Sequence, residues 1–147
     1  MLIKPVTPKD YDFIYITRIH PDNLNGFFTN KQFPYEEHIR FMNDHAHQYY
    51  VGQVLPIPGP FVFSILNWWK FERVGFVGVV DDDWRVAVHP DHKGQGYATE
   101  MIQTIMPRYP NTYARILKGN EASLRTFTKC GFIFDHEDDT KIVLKAP

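Results

Sequence analysis

The run Lys93-Gly94-Gln95-Gly96-Tyr97-Ala98 sets one cation beside two glycines, between a strand pattern and a helix pattern. Ahead of it Trp84, Val86 and Val88 alternate with Arg85, Ala87 and His89, as in a strand with two different faces, and Pro90 ends the run. Behind it Ala98, Met101, Ile102, Ile105 and Tyr109 follow helical spacing, with Pro107 and Pro110 to terminate the helix. A glycine-rich turn at such a junction aims successive backbone N–H groups at one point. The helix start adds unsatisfied donors and the positive end of its dipole. That environment suits an oxyanion, above all a pyrophosphate. Glycine lets the backbone approach it without a Cβ in the way, and Lys93 adds charge. The run is neither of two common phosphate motifs. GxGxxG would need glycine at position 99, where Thr99 stands, and GxxxxGK[ST] is absent. Taken alone, the run also fits a plain structural turn.

Metal and thiol chemistry have weaker support. His45 and His47 are two apart and His89 and His92 three apart, with no HExxH and no CxxC, so no metal site is expected. Cys130 is the single cysteine, so no intrachain disulfide forms, which is compatible with a reducing compartment.

These residues must be positioned by a fold. Residues 2–6 read as a strand, and Thr7, Pro8 and Asp10 as a helix start continuing to Arg18. The stretch Pro21 to Gly26 reads as a loop. A second helix starts at Pro34, with Tyr35, Ile39, Met42 and Ala46 as its core stripe and His38, Phe41 and His45 on an adjacent strip. Strands are expected at 49–55, Phe61–Leu66, Val74–Val80 and Tyr113–Leu117, with a turn at Asp81-Asp82-Asp83. Asn120 can cap a last helix that Gly131 closes, and Phe132–Phe134 with Ile142–Leu144 can form a hairpin. Mixed elements without a repeat or linker indicate one α/β (α+β) domain over residues 1–147.

Composition sets outer bounds. Sixteen basic residues face seventeen acidic ones, so the formal charge of -1 gives no reason to expect nucleic acid or an anionic membrane. The N-terminus lacks a signal peptide's apolar region, and no apolar run approaches the ~20 residues of a membrane span. A cytoplasmic protein is expected. Aromatics at 16% suggest bulky side chains in the core or around a cleft.

A second string makes the first more specific. Asn120-Glu121-Ala122-Ser123 opens the last helix, which ends in Gly131-Phe132. Together the strings resemble the GNAT superfamily of N-acetyltransferases. Its cofactor motif, Arg/Gln-x-x-Gly-x-Gly/Ala, follows a strand ending in Val-x-Pro. Lys93, Gly96 and Ala98 stand at its defining positions, with lysine for the usual arginine or glutamine. The second string resembles the superfamily's Asn-x-x-Ala/Ser helix.

The resemblance implies a mixed, mostly antiparallel sheet flanked by helices, with two central strands splayed apart. Acetyl-CoA is the implied donor. Its pantetheine arm would lie against Val86, Ala87 and Val88, and its pyrophosphate on Lys93, Gly94, Gln95, Gly96, Tyr97 and Ala98. Asn120 and Ser123 would contact it or serve only as a helix cap. Phe127 stands where many members carry a proton-donating tyrosine; it can offer packing but no proton. Tyr97, Tyr113 and Cys130 are substitute donors by sequence. Asp83 lies near where relatives place a glutamate base, with Asp82 and His89 as weaker choices.

The N-terminal half bears on the acceptor. Arg18-Ile19-His20-Pro21-Asp22, then Glu36-Glu37-His38-Ile39-Arg40-Phe41, partly resemble N-acetyltransferases acting on nucleotide-linked amino sugars, with Thr17 and Ile19 departing from that pattern. Arg18 and His38 become phosphate- or sugar-facing candidates. The implied reaction acetylates a small-molecule primary amine by direct attack in a ternary complex. Protein or peptide N-acetylation and a silent CoA-binding module are the alternatives. The segment 54–71, with three prolines and two tryptophans, reads as an acceptor lid, a homodimer contact or an extended hairpin.

Overall fold

The computed structural model describes residues 1–28, 31–55 and 70–147. A seven-stranded sheet runs through these residues in the order β1-β2-β3-β4-β5-β7-β6. Its strands are β1 (Leu2–Pro5), β2 (Tyr49–Val54), β3 (Glu72–Val80), β4 (Asp83–Val88), β5 (Tyr113–Leu117), β6 (Ile133–Glu137) and β7 (Lys141–Lys145). The helices are α1 (Tyr11–Ile19), the single-turn α2 (Pro21–Leu24), α3 (Tyr35–His45), α4 (Tyr97–Ile105) and α5 (Glu121–Lys129). Every strand pair is antiparallel except β4–β5. This is the mixed α/β architecture expected from the sequence.

Two apolar layers hold the sheet. On one face Met101, Ile102 and Ile105 of α4 and Phe127 of α5 pack with Val77, Val79, Trp84, Ile116 and Leu144. On the other, Tyr11 and Ile14 of α1 and Met42 of α3 pack with Val51, Phe76, Val80 and Ala87. Each Val, Leu, Ile, Phe or Met among them contributes about 1.5–3 kcal/mol through burial. Close approach matters at Gly78, where an added Cβ would lie 2.6 Å from the Tyr49 ring.

The β3–β4 hairpin turns through two residues, Asp81 and Asp82, with φ of 50° and 60°. That left-handed pair matches the twist of the flanking strands, and aspartate tolerates it better than most residues. Asp83 therefore belongs to β4 rather than to the turn. β4 then leaves its other neighbour early. It meets β5 at the single register pair Asp83↔Tyr113, while β5 goes on to pair with β7 over Tyr113–Leu117. The two central strands are splayed.

Two expectations about the N-terminal half are corrected. Pro21–Leu24 is a helical turn, because Pro21 presets its first residue and His20 Nδ1 accepts the Asp22 N–H at 3.2 Å. α3 is also rotated from its expected stripe: His38 and Met42 are its buried residues, whereas Tyr35 is 38% exposed. His38 tolerates burial because its Nε2–H donates to the Tyr11 carbonyl at 2.9 Å. The expected strand Phe61–Leu66 and the prolines and tryptophans of the 54–71 segment lie outside the described residues.

Candidate active site

Gly94 and Gly96 have φ of +76° and +83°, and Gly96 is the N-terminal cap residue of α4. A Cβ at either would meet nothing within 4 Å, so these positions need glycine for its dihedral freedom, and the space over the turn is open. The turn forms one rim of a cleft of about 910 Å³. That volume lies in the range of small-molecule and cofactor sites. Val86, Ala87 and Val88 contribute from β4, Lys93, Gly94, Gly96 and Ala98 from the turn, and Asn120, Ser123 and Phe127 from α5 and its cap. Gln95 and Tyr97 do not line it. Tyr97 instead meets His92 edge-on at 6.3 Å. Asn120 Oδ1 accepts the Ser123 N–H at 3.2 Å, so the same residue caps α5 and faces the cleft.

The register fixes which backbone groups face the splay. The His89 N–H donates to the Val74 carbonyl at 2.8 Å. By the alternation of an antiparallel ladder, Ala87 and Arg85 also bond towards β3, and Val86 and Val88 point the other way. Among the described residues, no strand is paired with Val86 or Val88 on the β5 side. The Val88 carbonyl is engaged by Asn23 Nδ2 at 3.0 Å, and that amide also donates to the Thr17 carbonyl at 2.8 Å. Lys93 Nζ donates to the Asp22 carbonyl at 2.9 Å. Thus α2 is tied to both the strand end and the glycine turn.

Sequence reasoning missed part of the wall. Ala122, Arg125, Thr126 and Lys129 also line the cleft. Their spacing puts them on one stripe of α5, so a basic helical face was the available signal.

On the opposite face of the sheet lies a small cavity of about 10 Å³, room for one water-sized group. Arg18, His38, Tyr49 and Arg85 are in its wall, with Phe27, which also borders the large cleft. The Arg18 guanidinium lies over the rings of Phe27, at 5.2 Å, and Phe33, at 4.6 Å. That of Arg85 lies over Phe41 at 5.4 Å. Burial lowers the His38 pKa, the Tyr11 bond opposes this, and Arg18 adds to it, which favours neutral imidazole. With Nε2 donating, Nδ1 is the acceptor atom. Burial raises the Tyr49 hydroxyl, and Arg85 and Arg18 pull it back. Arg85 and Tyr49 escaped the sequence reading, because only the fold brings β2, β4, α1 and α3 together.

The acid–base candidates are more scattered. Asp83 lines neither cavity. Its Oδ1 accepts the Arg115 N–H at 3.3 Å and pairs with the Arg115 guanidinium at 3.3 Å. Burial raises its pKa, and Arg115 reverses this only in part. His89 stacks on Phe13 at 6.1 Å and accepts the Asp91 N–H on Nδ1, outside both cavities. Phe127 packs edge-on against Trp84 and Phe132. Cys130 is buried, which raises its thiol pKa, and its Sγ lies 3.8 Å from the Thr99 carbonyl. Among the described residues no three His, Cys, Asp or Glu side chains are grouped to hold a metal, and no helix is long and apolar enough to cross a membrane.

A mixed sheet whose parallel pair opens over a glycine-lined, basic-walled cleft defines an acyltransferase fold. The chain belongs to the acetyltransferase (GNAT) domain family, whose model matches residues 1–133. Solved structures share the fold at low identity. A domain from Methanocaldococcus jannaschii DSM 2661 is 17% identical, with a TM-score of 0.77 over 98% of this chain and 96% of that one. Spermidine N-acetyltransferase from Vibrio cholerae, in complex with CoA and spermine, is 14% identical, with a TM-score of 0.72 over 98% and 92%. YncA from Salmonella typhimurium, with its cofactor acetyl-CoA, is 14% identical, with a TM-score of 0.70 over 99% and 90%. No curated protein sequence matches this chain significantly.

Proposed function

We propose that this protein moves the acetyl group of acetyl-CoA to the primary amine of a small molecule, within a ternary complex. The observation that carries this reading is the splay of β4 from β5 beside the Gly94–Gly96 turn. The residues present fit the donor. The turn offers N–H groups and a helix start to a pyrophosphate, and Lys93, Arg125 and Lys129 bring positive charge to the same cleft. The pantetheine arm would run along β4, where Val86 and the Val88 N–H face the gap. Acetyl-CoA supplies an activated acyl group.

The rest falls to the protein. The backbone N–H groups at Val86 and Val88 can hold the acyl oxygen as charge develops on it. We assign the amine proton to Asp83, reached through water because its carboxylate lies outside both cavities on Arg115, and its raised pKa suits it better than an ordinary aspartate, with His89 second. Phe127 is packing, and the departing thiolate takes its proton from water, since a thiol of pKa about 8.5 leaves tolerably near neutral pH.

We place the acceptor on the α1–α3 side, against Arg18 and His38. A nucleotide-linked amino sugar is the class that the N-terminal half suggests. The test pairs calorimetric CoA binding with CoA release against a panel of primary amines. Binding with acceptor-dependent release is the expected result. Binding without release for any amine or peptide would leave a silent CoA module.

A further inference from the structure

Arg18 comes from α1 and Arg85 from β4, yet both reach the same small cavity. Among the described residues, the arginines in ion pairs are Arg73, with Asp10, and Arg115, with Asp83. Arg18 and Arg85 are in none. The segments outside the described residues, 29–30 and 56–69, contain no Asp or Glu. No carboxylate of this chain therefore neutralises the pair by direct contact. Glu37 acts on Arg18 at a distance, and Asp83 is held by Arg115.

What surrounds the two guanidiniums is aromatic. Phe27, Phe33 and Phe41 present ring faces to them, which removes water without supplying counter-charge. The charge of Arg85 is felt at Arg18. Burial lowers the Arg18 pKa, Tyr49 opposes this, and the charge of Arg85 lowers it further. Two partly desolvated guanidiniums, in no ion pair among the described residues, face one space with room for a single oxygen of an oxyanion. Tyr49 and His38 stand in the same wall and bring polar groups to it.

We propose that the acceptor amine carries an oxyanion, a carboxylate or a phosphate, which Arg18 and Arg85 receive together, so that this enzyme selects anionic amines and rejects polyamines. The proposal rests on the acetyltransferase reading and narrows its substrate class. Spermine, present in the complex of the Vibrio cholerae neighbour, is a polyamine and belongs to the class this selection would reject. Phe27, shared by both cavities, puts the anion subsite next to the donor cleft.

The experiment has two arms. In the first, matched acceptors with and without the anion are compared: an amino acid against its amide, and an amino-sugar phosphate against the free amino sugar, with spermidine as the cationic control. At least a tenfold preference in kcat/KM for the anionic member is expected. In Arg85→Gln or Arg18→Gln that ratio should collapse towards one. Preference for spermidine or the neutral member, or a ratio that survives both substitutions, overturns the proposal. The second arm needs no turnover. With CoA saturating, so that the glycine turn is blocked, inorganic phosphate and then acetate are titrated while the Arg18 and Arg85 guanidinium resonances are followed by NMR. Both should move together in the wild type, the Arg18 resonances should move at least tenfold less readily in Arg85→Gln, and the tighter ligand identifies the anion. If neither ligand moves them, the proposal fails even where acetyl transfer is observed. If the resonances move but no amine is acetylated, the subsite stands and the catalytic reading fails.

Discussion

Asp83 and Tyr113 form the single register pair through which β4 meets β5. The Tyr113 N–H donates to the Asp82 carbonyl at 2.8 Å, and the Asp83 carboxylate takes the backbone N–H and the guanidinium of Arg115. The closed end of the splay and the assigned base are therefore the same residue.

Asp83→Asn should separate the two roles. Asparagine can still accept the Arg115 N–H, so CoA affinity should change less than threefold. The proton acceptor is gone, so kcat should fall by at least tenfold, about 1.4 kcal/mol in barrier. In the wild type the carboxyl must lose its proton to act, so rate rises with pH through its raised pKa; that acidic limb should vanish in the variant. An unaltered pH–rate profile would remove Asp83 from the mechanism and turn attention to His89.

Gly96→Glu tests the turn. The left-handed φ of +83° costs any side chain about 1 kcal/mol, and the open space above it lets glutamate reach into the cleft. There its charge opposes a pyrophosphate. CoA affinity should fall at least tenfold, about 1.4 kcal/mol, while the far-UV circular dichroism is retained. Calorimetry showing wild-type affinity would refute the assignment of the turn.

What was legible in the sequence followed the range of the interactions involved. The Gly94–Gly96 turn, α4 and the Asn120 cap depend on neighbours within a few residues, and they stand where the residue pattern put them. The strand alternation of Trp84, Val86 and Val88 likewise marked the face towards α4. Periodicity could not show that His38 would turn inwards in place of Tyr35, because the Tyr11 carbonyl that satisfies it lies on another helix. Nor could it show Arg115 beside Asp83, since that meeting depends on the parallel crossover of 24 residues between Val88 and Tyr113. Arg85 and Tyr49 were hidden for the same reason: only tertiary structure brings them to Arg18.

Thr17 offers a test of packing in α1, near the proposed acceptor side. Its hydroxyl is fully buried, and among the described residues it has no hydrogen-bond partner. Valine has nearly the same shape and removes an unsatisfied polar group. Thr17→Val should therefore be neutral or raise stability by up to about 1 kcal/mol in urea unfolding. The Asn23 bond to the Thr17 backbone carbonyl is untouched by the change. A loss of more than about 1 kcal/mol would show that the hydroxyl has a partner after all.

The last prediction concerns acid stability and Asp10. Its carboxylate is fully buried and joins three parts of the chain: Lys4 of β1 at 2.9 Å, Arg73 of β3 at 2.7 Å, and both the N–H and hydroxyl of Thr7 at 2.9 Å. Burial pushes its pKa up, but Lys4, Thr7 and Arg73 together outweigh it and hold the group at about 2 against an ordinary 3.8. A folded pKa below the unfolded one means that the folded state favours the charged form. The stabilisation is fully present above pH 3.8 and is lost as pH falls through 3.8 towards 2. The shift corresponds to about 2 kcal/mol. Other carboxylates titrate over the same range, so the informative quantity is the difference between wild type and Asp10→Asn. At pH 7 the variant should be less stable by at least about 2 kcal/mol, or roughly 4–8 °C in Tm for a domain of this size. Below pH 4 the two stability curves should converge, because the wild-type carboxylate is then losing its charge as well. Urea unfolding of both proteins between pH 7 and pH 2.5 measures this directly. A gap that stays constant across that range would mean that Asp10 stabilises the fold through packing and neutral hydrogen bonds rather than through its charge.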